Sequence, residues 1–435
     1  MTTHALIDRI KDSDIARRIS KGAFWSFTGT ALGKFFVLLT GIVCARILGK
    51  EGFGELGIIR STLGMFIILG AGGIGVTATR YISSYRHQDP LHAASIYRLS
   101  TVFSLITGLT ITILLLTVSD TLTTNVLKSD HLTIPLVIGS SVLLLSILNS
   151  SENGALAGLE DFRSIALNTL TASIVEAVCM IIGAYYFQLE GAVAGFGCGV
   201  FVLYLLNRVS ALRGLHKAGI PTKGHHIVRN DWKLIYLYSL PATLSAIMVT
   251  PVFWLLRSML VRSEGYGELG IFEAADQWKV ILLFIPGAIS QIVLPILSSI
   301  TNPIKFRKTL WANLCFIGGV SLCLALSTWA LAPFIMPLYG KSFCNLTPLV
   351  CLALSTIPTA IALILEMTLY SMERMWTCLA FNLLWGCSVI AIAYLMLQNS
   401  KGATGVALAI LLAYTLKMLC MSVYLTIWKQ KGGDK

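Results

Sequence analysis

The sequence predicts an all-α integral membrane protein with twelve transmembrane helices in two pseudo-symmetric six-helix lobes. Three observations predict it. The 435 residues are 55% apolar and 12% charged, with a mean hydropathy of +0.77, whereas ordinary soluble domains carry roughly 25% charged residues. The apolar residues fall in runs of about 20 or more, the length a helix needs to cross a bilayer, and they lack the alternation of a membrane β-barrel strand. The third observation is a stretch written twice. Gly49 to Ser61 reads GKEGFGELGIIRS, and Ser263 to Ala275 reads SEGYGELGIFEAA, a shift of 213 residues with one conservative change across the shared core. Ser26 and Thr30 fall on Ser239 and Thr243 at the same shift. Self-similarity at a fixed offset marks an internal duplication, here of about half the chain.

The elements follow in order. Residues 1–20 alternate charges with Ile7, Ile10, Ile15 and Ile19, the pattern of a short cytoplasmic amphipathic segment rather than a signal peptide. Residues 21–212 form the first lobe, with spans at 22–48, 54–82, 92–118, 134–159, 162–189 and 191–212. A basic cytoplasmic linker occupies 213–233. The second lobe, 234–428, repeats the scheme at 234–260, 267–300, 309–338, 346–372, 375–397 and 403–428, and 429–435 is a cytoplasmic tail. With the N-terminus inside, 22 of the 33 Lys and Arg fall on cytoplasmic segments and 7 on the opposite side. That bias follows the positive-inside rule and puts both termini in the cytoplasm. Six helices per copy is an even number, so both copies enter the membrane the same way. They should be related by an axis along the membrane normal, with a path between them.

Other readings of the composition are weaker. The formal net charge of +12 fits basic inner loops better than a nucleic-acid surface. The ten cysteines form no CxxC pair and no Cys/His ligand spacing; they read as small buried hydrophobes, with no disulfide and no metal site expected. Gly73-x-Gly75 lacks the strand–helix context of a nucleotide loop, and no GxxxxGK[ST] is present. ATP is therefore not the direct energy source within the chain. No nucleophile–base constellation is evident and the loops are short, so the chain is not expected to be an enzyme.

Charges inside the spans carry the functional reading, because an ionisable group at mid-membrane costs several kcal/mol unless it faces a partner or a wet cavity. Lys34 lies 13 residues from Lys21 and 12 from Arg46, roughly 18–20 Å from either end of its helix. Gly29, Thr30, Gly33 and Thr40 beside it are small or polar. A lysine snorkelling from a lipid face is the plainer alternative, and the depth favours a cavity. In the eighth span Glu273, Asp276 and Lys279 share a face, either as an internally neutralised cluster or as a cavity wall that handles charge. Arg60 sits where the duplication places Glu273, so the two are expected to pair across the lobes when the outward mouth is shut. Glu152, Glu176, Glu366 and Lys417 are the remaining intramembrane charges considered. Any of the carboxylates could couple to a proton or sodium gradient, and Glu366 with Lys417 could equally be a buried structural pair. Pro241, Pro251, Pro286, Pro295 and Pro358, with Gly70, Gly72, Gly73 and Gly75, interrupt helices that would bend during alternating access.

Ala45-Arg-Ile-Leu-Gly49 followed by Glu51-Gly-Phe-Gly54, Thr79-Arg-Tyr-Ile82 at the end of the second span, and Gly154-Ala-Leu-Ala-Gly-Leu-Glu160 at the end of the fourth carry a resemblance. With them the chain resembles Wzx-type O-antigen (polysaccharide repeat-unit) flippases of the multidrug/oligosaccharidyl-lipid/polysaccharide exporter (MOP) superfamily. The resemblance implies a MATE-like bundle in the bacterial inner membrane that alternates access to a central cavity. It implies a cargo of undecaprenyl-pyrophosphate-linked oligosaccharide, moved from the cytoplasmic to the periplasmic leaflet of the membrane lipid, with a polysaccharide polymerase and a chain-length regulator as partners. Lys34 falls where the related peptidoglycan-precursor flippase places a cavity arginine, a match of position and charge rather than identity. A diphosphate crossing hydrocarbon needs buried positive charge in place of water. Lys34 and Lys279, with Arg60 and Arg257 toward the outer mouth, are the residues expected to supply it. Glu273, Asp276, Glu176, Glu366 and Lys417 are those expected to gate or couple. A multidrug exporter of the same superfamily would carry a carboxylate in the first or seventh span, where this chain holds Lys34 and Arg257. A membrane scaffold subunit of the polysaccharide machinery is the remaining alternative.

Overall fold

In hydrocarbon the backbone amides of an apolar run must bond within the run, and a helix does this without a partner strand. The computed structural model describes residues 14–221, 249–290, 302–372 and 374–432. Every regular element among them is helical: α1 (Asp14–Ala71), α2 (Ile74–Tyr85), α3 (Pro90–Thr121), α4 (Thr133–Gly158), α5 (Phe162–Lys217), α6 (Thr250–Glu264), α7 (Tyr266–Leu282), α8 (Pro303–Ile335), α9 (Thr347–Ser371), α10 (Met375–Gln398) and α11 (Gly402–Gly432). A π-turn at Leu122–Val126 and short 3-10 turns at Asp130–Leu132 and Met336–Tyr339 join them.

Eight of the described helices are long and apolar enough to cross a membrane. Two of these are long enough for two crossings and each contains a break. In α1 the break is Gly49 (φ 71°, ψ −177°), and in α5 it is Phe187 and Gln188 (φ 50°, ψ −132°). The predicted links between spans one and two and between spans five and six are therefore single sharp turns. Only glycine reaches the Gly49 geometry without strain. The seventh and eighth predicted spans lie partly outside the described residues, and α6 and α7 are their described parts. Together the helices are consistent with twelve spans.

The glycines of the second span do break it: Gly72 and Gly73 both take positive φ (50° and 65°) between α1 and α2. The prolines behave less uniformly. Pro251 starts α6, where a missing N–H costs nothing, and Pro358 sits inside an uninterrupted α9. Pro241 and Pro295 lie outside the described residues, as do residues 1–13 of the amphipathic segment and 222–233 of the linker. The expectation of buried cysteines needs correcting. None of the ten thiols is in a disulfide, but only Cys44 and Cys378 are buried and five are exposed: Cys198, Cys315, Cys323 and Cys387 on helix faces and Cys344 in the loop before α9.

The described chain gathers into two compact units. Unit 1 holds Met1–Thr40, Leu63–Asp120 and Thr133–Ile247, and unit 2 holds Gly41–Thr62, Thr121–Leu132 and Met248–Lys435. In unit 1, α4 packs along both α2 and α5. The two halves of α5 fold back on each other along Gly191, Gly195 and Gly199, each facing a close neighbour at Gly183, Cys179–Met180 or Glu176. This small-residue spacing lets helices approach without side chains between them. In unit 2, α9 and α10 pack on α11, α8 packs on α9, and α7 lies against α6, α9 and α11.

Candidate functional site

In unit 2 the duplicated segment meets its own copy. The segment of α1 just after Gly49 crosses α7 so closely that a Cβ on Gly54 would run into the Tyr266 carbonyl, and one on Gly270 into the Lys50 carbonyl. Backbone atoms cannot yield, so the crossing needs glycine at Gly54 in one copy of the motif and at Gly270, the counterpart of Gly57, in the other. Around the crossing, Arg46 Nε donates to the Leu338 carbonyl at 2.5 Å. Phe53 packs against Tyr339 and Phe343 with ring centroids 6.0 and 6.3 Å away. The link after α3 is held in the same unit. Arg262 donates to the Asn125 carbonyl (3.1 Å), Tyr266 to the Leu127 carbonyl (2.8 Å), and His131 Nε2 meets Glu55 at 2.7 Å.

One helical turn further in lies a four-charge cluster. Arg257 of α6 reaches across to α7, with Nε 2.5 Å from Glu273 and Nη2 2.9 Å from Asp276, and Lys279 Nζ is 3.2 Å from the other Asp276 oxygen. All four side chains are 6–14% exposed. Two cations and two carboxylates balance, so each charge is compensated locally. Phe253 lies 4.5 Å from the Lys279 ammonium and Phe272 5.5 Å from the Arg257 guanidinium, supplying ring faces in place of water. Glu273 also presses on Gly57 of α1, one turn before the half-buried Arg60. The structure thus brings Arg257, Glu273, Asp276 and Lys279 together, with Arg257 of the neighbouring helix α6 as the arginine paired to Glu273. Trp254 joins the same wall by donating to Thr62 Oγ1 at 2.9 Å.

A second compensated site ties three helices of unit 2. The Lys417 ammonium (α11) contacts the Glu366 carboxylate (α9) and takes Asn382 Oδ1 (α10) at 2.5 Å. A run of aromatic contacts links it toward the first cluster: Lys417 over Tyr414, Tyr414 on Trp385 at 5.0 Å, and Trp385 on Phe253 at 5.7 Å.

Unit 1 holds the contrasting case. Lys34 is half-buried on α1, and among the described residues it has neither a hydrogen-bond nor an ion-pair partner. A Cβ added to Gly33 beside it would lie 3.5 and 3.7 Å from Ser173 and Thr169 of α5, and one on Gly29 would run into Ala166. Small residues therefore dock the helix and leave the lysine the adjoining face. Glu176, three residues beyond Ser173, lies against Gly199 within unit 1.

Glu152, by contrast, is fully buried and saturated. It accepts from Arg208 at 2.6 Å and from the Tyr97 hydroxyl at 2.9 Å. Beside it Asn168 donates to Asn207, and Asn207 to Asn149, at 2.9 Å each. No residue spacing in the sequence pairs Glu152 with Arg208. The two are 56 residues apart, on helices whose contact no local pattern announces.

Comparison with known proteins is consistent with this geometry. The chain is 28% identical over 213 residues to the EPS I polysaccharide export inner membrane protein EpsE of Ralstonia nicotianae, a match that spans about half of each chain (47%). It is 26% identical to a putative O-antigen transporter of Shigella flexneri over 67% of this chain and 69% of that one. To the lipid III flippase of Escherichia coli (strain K12) it is 21% identical over 73% and 76%. Among solved structures it resembles an inward-facing multidrug-resistance MATE family transporter of the MOP superfamily, with a TM-score of 0.75 at 18% identity over 92% of this chain and 96% of that one. A MOP superfamily transporter from Pyrococcus furiosus gives 0.68 at 17% identity over 97% and 98%. These likenesses establish a MATE-like fold. The family model described as "Polysaccharide biosynthesis protein" matches residues 19–301, well over half of the sequence, and the chain belongs to that family.

Proposed function

We propose that this protein is a lipid-linked oligosaccharide flippase. Its cargo is an undecaprenyl-pyrophosphate-linked polysaccharide repeat unit, carried from the cytoplasmic to the periplasmic leaflet of the inner membrane by alternating access, with both termini in the cytoplasm. Family membership and the names of its relatives support the substrate class. The observation that carries the mechanism is Lys34, a half-buried cation in the middle of an apolar helix with no partner among the described residues. An isolated ammonium at that depth is costly, and an anionic cargo headgroup offsets the cost when it binds. Lys279 and Arg257 are already balanced, so in this reading they contribute when the cluster opens, with Arg60 beside them. The glycine crossing of α1 on α7 is the periplasmic gate, shut, and Glu273 and Asp276 are its charge latch. Turnover draws on a proton or sodium gradient through Glu176 or the Glu366–Lys417 pair, and no organic cofactor is needed. A polysaccharide polymerase and a chain-length regulator take the product.

Complementation of a flippase-deficient strain tests this. Lys34→Ala should lower surface polysaccharide about ten- to hundredfold, the value of one charged hydrogen bond of roughly 1.5–3 kcal/mol, while Lys34→Arg keeps most of it. Loss of drug resistance with polysaccharide intact would instead identify a multidrug exporter. Neither effect would identify a scaffold subunit.

A further inference from the structure

Unit 1 contains a cavity of about 650 Å³ whose wall does not include Lys34, with Trp25, Arg86, His87, Arg163 and Lys217 in it. Its residues come from the ends of helices: Trp25 from the start of α1, Arg86 and His87 from just after α2, Arg163 and Lys217 from the first and last turns of α5. All belong to unit 1.

Three features make this an anion site rather than a solvated notch. Arg86 is nine-tenths buried, with 10% of its side chain exposed. Its two terminal nitrogens serve the Gly158 carbonyl (3.2 Å) and Glu160 (2.6 Å), but its Nε is buried with no hydrogen-bond partner among the described residues. A buried guanidinium N–H left without an acceptor is expensive. The two acids in the wall are already engaged, Glu160 by Arg86 and Asp161 by the Ser164 N–H (3.1 Å) and hydroxyl (2.6 Å) that it caps. Arg163 and Lys217 have no ion-pair partner among the described residues, and the Arg163 guanidinium is held 5.4 Å over the Trp25 ring. The cavity therefore presents an unsatisfied arginine N–H, a second arginine fork and an ammonium around one space.

We infer that this cavity binds the phosphate of a lipid headgroup at the cytoplasmic surface. The inference rests on the membrane orientation proposed above. Arginine forks and lysine both suit phosphate oxygens. A tryptophan beside basic helix ends sits where side chains meet the headgroup layer, and basic pockets on that side of membrane helices take anionic headgroups. Two lipids bring that chemistry: an anionic glycerophospholipid, or the polyprenyl phosphate that anchors an arriving cargo.

Native mass spectrometry of the full-length protein in detergent tests it, with phosphatidylglycerol, undecaprenyl phosphate, inorganic pyrophosphate and the zwitterionic phosphatidylcholine as probes. The variant Arg163→Ala/Lys217→Ala changes two exposed side chains and should fold normally. It should retain at least about tenfold less of one phosphate lipid, and the lipid with the larger loss is the occupant. Lys34→Ala should retain both lipids at this site, so a failure of the transport reading stays distinguishable from a failure here. Equal lipid retention by the double variant and the unaltered protein overturns the inference, as does binding of pyrophosphate alone.

Discussion

Arg257→Met removes the one side chain that holds both carboxylates of the α7 cluster. Asp276 keeps Lys279 at 3.2 Å, but Glu273, 14% exposed, loses its ion pair and stays buried against Gly57. Breaking a buried pair from one side typically costs about 3–5 kcal/mol, whereas replacing both partners with neutral groups is often near neutral. The net charge of the cluster passes from zero to −1 in the single variant and returns to zero in Arg257→Met/Glu273→Gln. The double variant should therefore recover at least about 2 kcal/mol of what the single one loses, measured as a double-mutant cycle by denaturation in detergent. Transport separates structure from mechanism: if the cluster opens during turnover, the double variant regains stability without regaining transport. Equal destabilisation by the single and double variants would refute the view that charge balance holds this site together.

Two further expectations follow from the same packing. Gly270→Ala pushes a methyl into the Lys50 carbonyl, costing the α1–α7 crossing about 1–3 kcal/mol. Crosslinking of a Lys50→Cys/Gly267→Cys pair should fall in its presence, and an unchanged yield contradicts the proposed gate. Glu152→Gln removes a fully buried charge whose partner Arg208 is 33% exposed. It should lower stability by about 1–3 kcal/mol, less than a wholly buried pair because water reaches the arginine, and leave the pH dependence of transport where it was, and a moved pH profile would make Glu152 a coupling group instead.

Much of this architecture is written in local patterns. Apolar run length announces the helices, and the repeated EGFGELG/EGYGELG announces two related parts, because glycines at a crossing are needed on both sides of it. The Asp276–Lys279 pair is an i, i+3 contact and was legible as such. Arg257 with Glu273 was legible in principle: they stand equally far on either side of Gly265, the turn between α6 and α7, so the returning helix brings them level. The Glu152–Arg208–Tyr97 triad, the Lys417–Glu366–Asn382 site and the Arg86 cavity depend on which distant helices pack together, which residue spacing within one helix does not encode. The link after α3 was equally hidden, since its place in unit 2 rests on carbonyl contacts at Asn125 and Leu127 that any side chains could have made.

Translocation by the purified protein in liposomes, followed with a fluorescent polyprenyl-diphosphate oligosaccharide, tests most directly whether Lys34 receives the cargo's negative charge. Lys34→Ala should slow the lipid's passage at least about tenfold and Lys34→Arg should restore most of it. Passage at the unaltered rate with alanine at position 34 would contradict the account.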